Sequence, residues 1–439
     1  LIHLLYINME ENMKNKPSIA LVMVIDAVGL STLEYLLKNY DKQINMPNLS
    51  RLGLGRIIAP EFEKRFGPSG AGLGTDGSLK NVNTNYAAKI NQVSATADSL
   101  VGHREMMGIV DDRTYDLFPN GFNKEYLAEL EKRTGRKTFF NKMAGGIEAI
   151  ELNAAEHEKT GNLIVYASKC DPLIQIAMNE AIIPVAEQHK IADIAFDLAM
   201  EMKIPITRAI ARSYIKNSEG EIARTSNRHD SVLPIGGKTL IDIMNEKNIW
   251  TIAVGKTSDL VNTYYREKIK LKEEDFLDPA LDLRFVHPKK KDTNPFSVQG
   301  IINAISSSKN LYRPRGIFIF ANLVDTDSLY GHTRDIEGAI KSIEEIDRNI
   351  PLIENTLGEG DILIITADHG MEHKDDYGYH SNEPLPFIVE RIGFDYKLGG
   401  IKTGKVKGLM EVGHIASQLL NCEEEYLSLP GIKGFAKKS

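Results

Sequence analysis

Five side chains near the end of this chain are of the types that bind divalent metal ions. Asp327 and His332 stand five residues apart in VDTDSLYGH (Val324–His332), and Asp368 and His369 are adjacent in TADHG (Thr366–Gly370). His380 follows in YHSNEPLP. Carboxylates and imidazoles without thiolates suit Mn²⁺, Zn²⁺ or Fe²⁺ over Ca²⁺. Two such ions about 3.5–4 Å apart can hold the attacking and leaving oxygens of an in-line phosphoryl transfer. They also neutralise the charge on the phosphoryl group.

The elements that must carry these donors are legible as apolar runs. GIFIFANLV (Gly316–Val324) precedes the first group and DILIIT (Asp361–Thr366) the second. Both read as buried strands, and open α/β sheets place their ligand sites at the carboxyl ends of such strands. The first strand, SIALVMVID (Ser18–Asp26), ends on Asp26, with a tight AVG turn after it. Asp26 alone reads equally as a turn former or helix cap, and His380 alone as a surface histidine. Asp325 and Asp327 both stand at a strand end; of the two, Asp327 is expected to be the donor and Asp325 its support. Gly370 permits a close backbone turn after His369.

Phosphoryl transfer also calls for a nucleophile. SATADSLVGHREMMG (Ser94–Gly108) holds Ser99 beside Asp98, in a stretch without clear amphipathic period. A serine hydroxyl is a weak nucleophile until a base or metal ion activates it. Taken by itself, Ser99 reads first as a helix N-cap.

Further strands are expected at NLIVYAS (Asn162–Ser168), IWTIAV (Ile249–Val254) and PFIV (Pro386–Val389). Ile340, Ile343, Ile346, Ile350, Ile353 and Leu357 recur at helical steps, with Pro351 predicting a kink or break. Strands alternating with helices predict an α/β core: a mainly parallel sheet covered on both faces. From about Val110 to Asp230 the chain is more charged. Helices are expected there at Lys124–Thr134 and Ile191–Met202, with a hairpin around Ser218–Gly220. An inserted smaller α/β cap would explain why Asp26 and Ser99 lie so far in sequence from the other candidates. The predicted division is a poorly ordered tail over 1–17, core over 18–109, cap over 110–232, and core again over 233–439.

At 439 residues the chain exceeds one ordinary core. A hydrophobic fraction of 42% with 26% charged residues is ordinary for a globular protein. The net charge of −7 argues against nucleic acid as a main partner. Cys170 and Cys422 lie far apart and form no CxxC, which suits a reducing cytoplasm and removes thiolate zinc sites. No run reaches the eighteen apolar residues of a membrane span. Leu1–Ile7 is apolar but lacks the basic start and cleavage site of a signal peptide.

D-S-x-x-G-H with H-x-E-x-M-G, V-D-x-D-x-L-Y-G-H, T-A-D-H-G and a trailing histidine resemble phosphopentomutase, of the alkaline phosphatase superfamily. Cofactor-independent phosphoglycerate mutases share the S-x-x-G-H element. Glu156–Ala177, Arg208–Ile215, Ala223–Pro234 and Ala253–Asp259 also resemble the family's cap and its junction with the core. The resemblance implies an alkaline-phosphatase-like core and two divalent ions, Mn²⁺ first and Zn²⁺ second. One ion would be held by Asp327, His332 and His380, the other by Asp26, Asp368 and His369. Ser99 would carry the phosphoryl group between C1 and C5 of ribose or deoxyribose. Asp171 would meet a sugar hydroxyl, and Arg212, Arg228 and Lys256 the distal phosphate or sugar. The implied setting is nucleoside salvage in the cytoplasm, with a small sugar phosphate as partner, no nucleic acid and no membrane. Three departures bear on substrate: serine replaces the usual threonine, Arg104 replaces tryptophan, and Asn382 replaces the arginine before Glu383. The alternatives are a phosphatase, phosphodiesterase or different phosphosugar mutase of the same superfamily, or a non-catalytic metal-binding or phosphosugar-sensing protein.

Overall fold

Every residue of the strand Ile19–Ile25 is buried, and the strand feeds two apolar clusters at once. Ile19, Leu21, Met23 and Ile25 pack with Leu33, Val298, Ile301, Ile340 and Ile343. Ala20, Val22 and Val24 pack with Ile241, Met244, Met410 and Val412. Side chains alternate across a strand, so an unbroken apolar run is what a sheet with helices on both faces requires. The computed structural model describes residues 18–63, 65, 85–225, 227–271, 277–278, 283, 292–311, 314–374, 377–394 and 397–437. The expected N-terminal tail, 1–17, lies outside them.

Packing divides the chain into two compact units, Leu1–Asp112 with Ile235–Ser439, and Arg113–Pro234. Among the described residues the first unit holds a seven-stranded sheet in the order Glu267–Ile269, Trp250–Val254, Ile317–Leu323, Ile19–Ile25, Ile362–Thr366, Leu385–Arg391, Tyr86–Ile90. The first five strands run parallel. Leu385–Arg391 is antiparallel to both of its neighbours. Register aligns the carboxyl ends: Ile25 lies opposite Leu323, and Val24 opposite Thr366. Three remote segments therefore leave the sheet on one edge. After Gly370 the chain makes a separate two-stranded hairpin, Gly370–Lys374 with Tyr377–Ser381, in which His380 lies opposite Met371.

The helix Ile336–Thr356 runs through Pro351, so the expected break does not occur. Proline removes the hydrogen bond to the carbonyl four residues earlier, here that of Asp347. The Asn48 side chain supplies the missing donor to that carbonyl at 3.0 Å. The Asp347 carboxylate in turn accepts from Leu49 N at 2.6 Å and Asn48 N at 3.2 Å. The break is thus averted by a short helix, Pro47–Leu52, whose own start is satisfied in exchange.

The second unit is a mixed sheet with strands Thr138–Met143, Leu163–Ala167, Leu173–Asn179, Arg208–Lys216 and Ile222–Arg224, and with His229–Val232 beside Arg208–Lys216. The hairpin read around Ser218–Gly220 joins Arg208–Lys216 to Ile222–Arg224. Lys124–Thr134 is helical, as expected. The second helix spans Val185–Glu201, beginning six residues before the expected Ile191, directly after Pro184. Both cysteines are buried and free.

Candidate metal centre

The site begins where the strands end. Asp26 N donates to Leu323 O at 3.0 Å, which binds the first strand end to its neighbour. Ala27 then turns sharply at φ 59, a left-handed conformation costing a non-glycine residue about 1–2 kcal/mol. This turn directs the Ala27 N–H at Asp368 Oδ1, 3.2 Å away.

Asp327 reaches the site by a different route from the one its spacing suggests. The strand stops at Leu323, and Thr326–Gly331 forms a π-helical turn with His332 at its end. On a continued strand Asp325 and Asp327 would share a face; the turn is what separates them. Asp325 accepts from Thr293 N, Thr293 Oγ1 and Asn294 N, each at 2.7 Å, and so anchors the start of the helix Asn294–Ser308. Asp327 is left facing two imidazoles. His332 Nε2 and His380 Nε2 each lie 3.2 Å from its Oδ1.

The remaining donors close around His369. Its Nε2 is 3.5 Å from Asp26 Oδ1 and 3.6 Å from Asp368 Oδ2, and its ring centroid is 3.9 Å from that of His380. Donor atoms of Asp26, Asp368 and His369 lie within 4.8 Å of one another, as do those of Asp327, His369 and His380. Backbone carbonyls fix the two rings: His332 Nδ1 donates to Gly378 O at 3.0 Å and His369 Nδ1 to Gly370 O at 2.9 Å. Each Nε2 is then the ring atom left facing inward, the arrangement that orients metal-binding imidazoles.

The electrostatics are those of a site rich in acceptors. Burial, then the charges of Asp368 and Asp327, push the Asp26 carboxyl well above its ordinary range. Burial acts the same way on Asp327, but the imidazoles of His332 and His380 outweigh it and hold that carboxyl well below. Asp368 is likewise held low against burial, by His369 and His103. Asp368 Oδ2 is buried and has no hydrogen-bond partner among the described residues. A buried carboxylate oxygen that accepts no hydrogen bond, with His103 at 3.3 Å and His369 at 3.6 Å beside it, is costly, and a cation removes that cost. The donor set and this orphaned oxygen fit divalent metal ions.

Ser99 belongs to the same cluster. It is the first residue of a wholly buried helix, Ser99–Met106, for which burial on all sides erases amphipathic period. The N-cap is Asp98, whose carboxylate accepts from Leu100 N at 2.8 Å, so the N-cap reading of Ser99 gives way. Ser99 Oγ lies 3.1 Å from His369 Nε2 and 3.5 Å from Asp26 Oδ1.

Two supporting residues escaped the sequence reading. His103 Nδ1 donates to Ser99 O at 2.8 Å and lies 3.3 Å from Asp368 Oδ2. Asn322 Nδ2 donates to Asp26 Oδ2 at 3.0 Å and lies 3.1 Å from His103 Nε2. His103 sits one helical turn after Ser99, a spacing that could have singled it out. Nothing in the sequence marks Asn322, inside an apolar strand. Glu105 is structural: it accepts from the backbone of Val93, Ser94 and Leu409. Arg104, in place of a tryptophan, is buried and donates to Leu260 O at 3.1 Å.

Lys256 precedes the short helix Thr257–Leu260 of the core unit. The other candidates lie on the inserted sheet. Asp171 Oδ1 accepts from Arg208 Nη2 at 3.2 Å. Arg212 Nε donates to Gln175 Oε1 at 2.6 Å, and burial with the nearby Arg228 brings its guanidinium down to about 10. Arg228 pairs through two nitrogens with Asp230.

Residues 18–424 match the family model described as Metalloenzyme superfamily. A phosphopentomutase of Kosmotoga olearia is 34% identical over 389 residues, covering 84% of this chain and 88% of its own. One from Pseudothermotoga lettingae is 35% identical over 347 residues, covering 79% of each. Among solved structures, a phosphoglycerate mutase of Leishmania mexicana is 9% identical, with a TM-score of 0.42, over 97% of this chain and 96% of that one.

Proposed function

The chain belongs to the phosphopentomutases of the metalloenzyme superfamily, and from that premise we propose that it interconverts the 1- and 5-phosphates of ribose or deoxyribose through a phosphoserine at Ser99. The observation that carries this reading is the place of Ser99 Oγ, 3.1 Å from His369 Nε2 and 3.5 Å from Asp26 Oδ1. In this reading Asp327, His332 and His380 hold one divalent ion, and Asp26, Asp368 and His369 a second, Mn²⁺ or Zn²⁺. When bound there, such ions supply Lewis acidity and positive charge for phosphoryl transfer. Three carboxylates would otherwise repel a phosphate from Ser99.

The chain's own residues supply the rest. Asp98 fixes Ser99 at a helix start, where backbone N–H groups favour an anion. Phosphorylated Ser99 gives its phosphoryl group to the free hydroxyl of the sugar monophosphate: the Oγ–P bond breaks as the new O–P bond forms. The resulting bisphosphate turns round, its other phosphoryl group returns to Ser99 Oγ, and the isomer leaves. Asp171 would hold a sugar hydroxyl, and Arg212, Arg228 and Lys256 the phosphate that is not reacting, a task suited to guanidinium forks. The activity would serve nucleoside salvage in the cytoplasm. Among the described residues no helix is long and apolar enough to cross a membrane.

The test is to incubate the Mn²⁺-loaded protein with ribose 1-phosphate and follow both ribose 5-phosphate and free phosphate. Isomerisation without net release is expected. Release without isomerisation would make the protein a phosphatase.

A further inference from the structure

We infer that Glu383 is a positioning residue that locks together the three segments carrying Asp26, Asp368, His369 and His380. The inference rests on the reading of these residues as metal donors. Glu383 lies just beyond the hairpin strand that ends on Ser381. Its Oε1 accepts from Thr32 N at 2.7 Å and lies 3.1 Å from Thr32 Oγ1, while Oε2 accepts from Ser381 Oγ at 2.6 Å.

Thr32 is the third residue of the helix Leu30–Asn39, which follows the Asp26 turn. The first N–H groups of a helix have no partner within it, and here Gly29 brings no capping side chain. Glu383 caps the helix from 351 residues away, and Pro384 O accepts from Leu30 N at 2.8 Å. Thr32 Oγ1 in turn accepts from Met371 N at 2.6 Å, which ties the same helix to the strand leaving His369.

Two glycines record how closely this carboxylate is wedged. A Cβ on Gly29 would lie 2.1 Å from Glu383 Oε1, and one on Gly370 would lie 2.2 Å from Glu383 Cδ. Gly29 is three residues after Asp26, and Gly370 directly follows His369. Neither turn has room for a side chain because Glu383 fills it. The role depends on reach: glutamine spans the same gap and keeps an acceptor for Thr32, whereas aspartate keeps the charge but is one methylene short.

The test is Mn²⁺ titration by calorimetry of chelator-stripped wild type, Glu383→Ala, Glu383→Gln and Glu383→Asp, beside thermal unfolding of the metal-free proteins. Outer residues that orient donors typically contribute about 10–100-fold in metal affinity. Alanine and aspartate should weaken Mn²⁺ binding by about that factor, with glutamine within about threefold of wild type. Should the alanine variant fail to fold, the glutamine and aspartate pair still decides. Unchanged affinity in the folded variants, or aspartate outperforming glutamine, overturns the inference. A purely structural residue would lower metal-free stability without splitting those two affinities. If the wild type itself takes up no Mn²⁺, the reading of the site as a metal centre is what falls, and this inference goes with it.

Discussion

The two units concentrate opposite charges by opposite means. In the core, Asp26, Asp327 and His369 follow three remote parallel strands that end together, and the buried helix Ser99–Met106 brings Ser99 beside them. In the inserted unit, Arg208, Arg212, Arg224 and Arg228 fall within one short span of chain, on or beside neighbouring strands. The core cluster is carboxylate-rich and wants cations; the arginines want an anion. Removing a core carboxylate or imidazole should therefore disturb metal and chemistry, whereas removing an arginine should disturb substrate affinity alone.

The sharpest way to break that contrast is Ser99→Ala. Turnover should fall by about 10³-fold or more, with Mn²⁺ content unchanged by elemental analysis. Retention of most activity would remove the covalent route. Next in size is Arg212→Lys, which keeps the charge but loses the planar fork. The KM for sugar phosphate should rise about 10–30-fold, matching about 1.5–2 kcal/mol for a charged hydrogen bond. Mn²⁺ affinity should not move, and if it does, the separation of roles is wrong.

Two stability measurements sharpen the core side. Glu345 is buried, and burial raises its carboxyl from 4.5 to about 8, opposed by Arg348 and assisted by Asp325 and Asp292. Between those values the folded chain holds a proton that the unfolded chain has lost. Its stabilising effect is full below 4.5 and is lost as pH rises through about 8, with a slope of up to about 1.4 kcal/mol per pH unit. Glu345→Gln should raise the Tm of the metal-free protein at about pH 9 and leave it near wild type at about pH 4. The smallest effect is expected of Asn48→Ala, which orphans the Asp347 carbonyl before Pro351. A loss of about 1 kcal/mol by denaturant titration is expected, without change in Mn²⁺ binding.

Much of the core was readable because buried parallel strands must be continuously apolar, and Ile19–Ile25, Ile317–Leu323 and Ile362–Thr366 are. What failed to read did so for stated reasons. Strand period cannot tell Asp325 from Asp327, since residues two apart share a face; they part because the chain leaves the strand at Leu323 for a π turn. Ser99 looked like a cap because Asp98, beside it, is one. Pro351 looked like a break because the compensating donor, Asn48, lies 299 residues from Asp347, whose carbonyl it meets.

Residue chemistry and local period were enough to name the donor types, the strands that end on them and the alternation of strand with helix, since these depend on neighbours along the chain. Which carboxylate faces the imidazoles, which ring nitrogen points inward and which distant glutamate caps the helix after Asp26 were decided only in three dimensions. Hydrogen bonds between segments hundreds of residues apart leave no periodic trace in either partner.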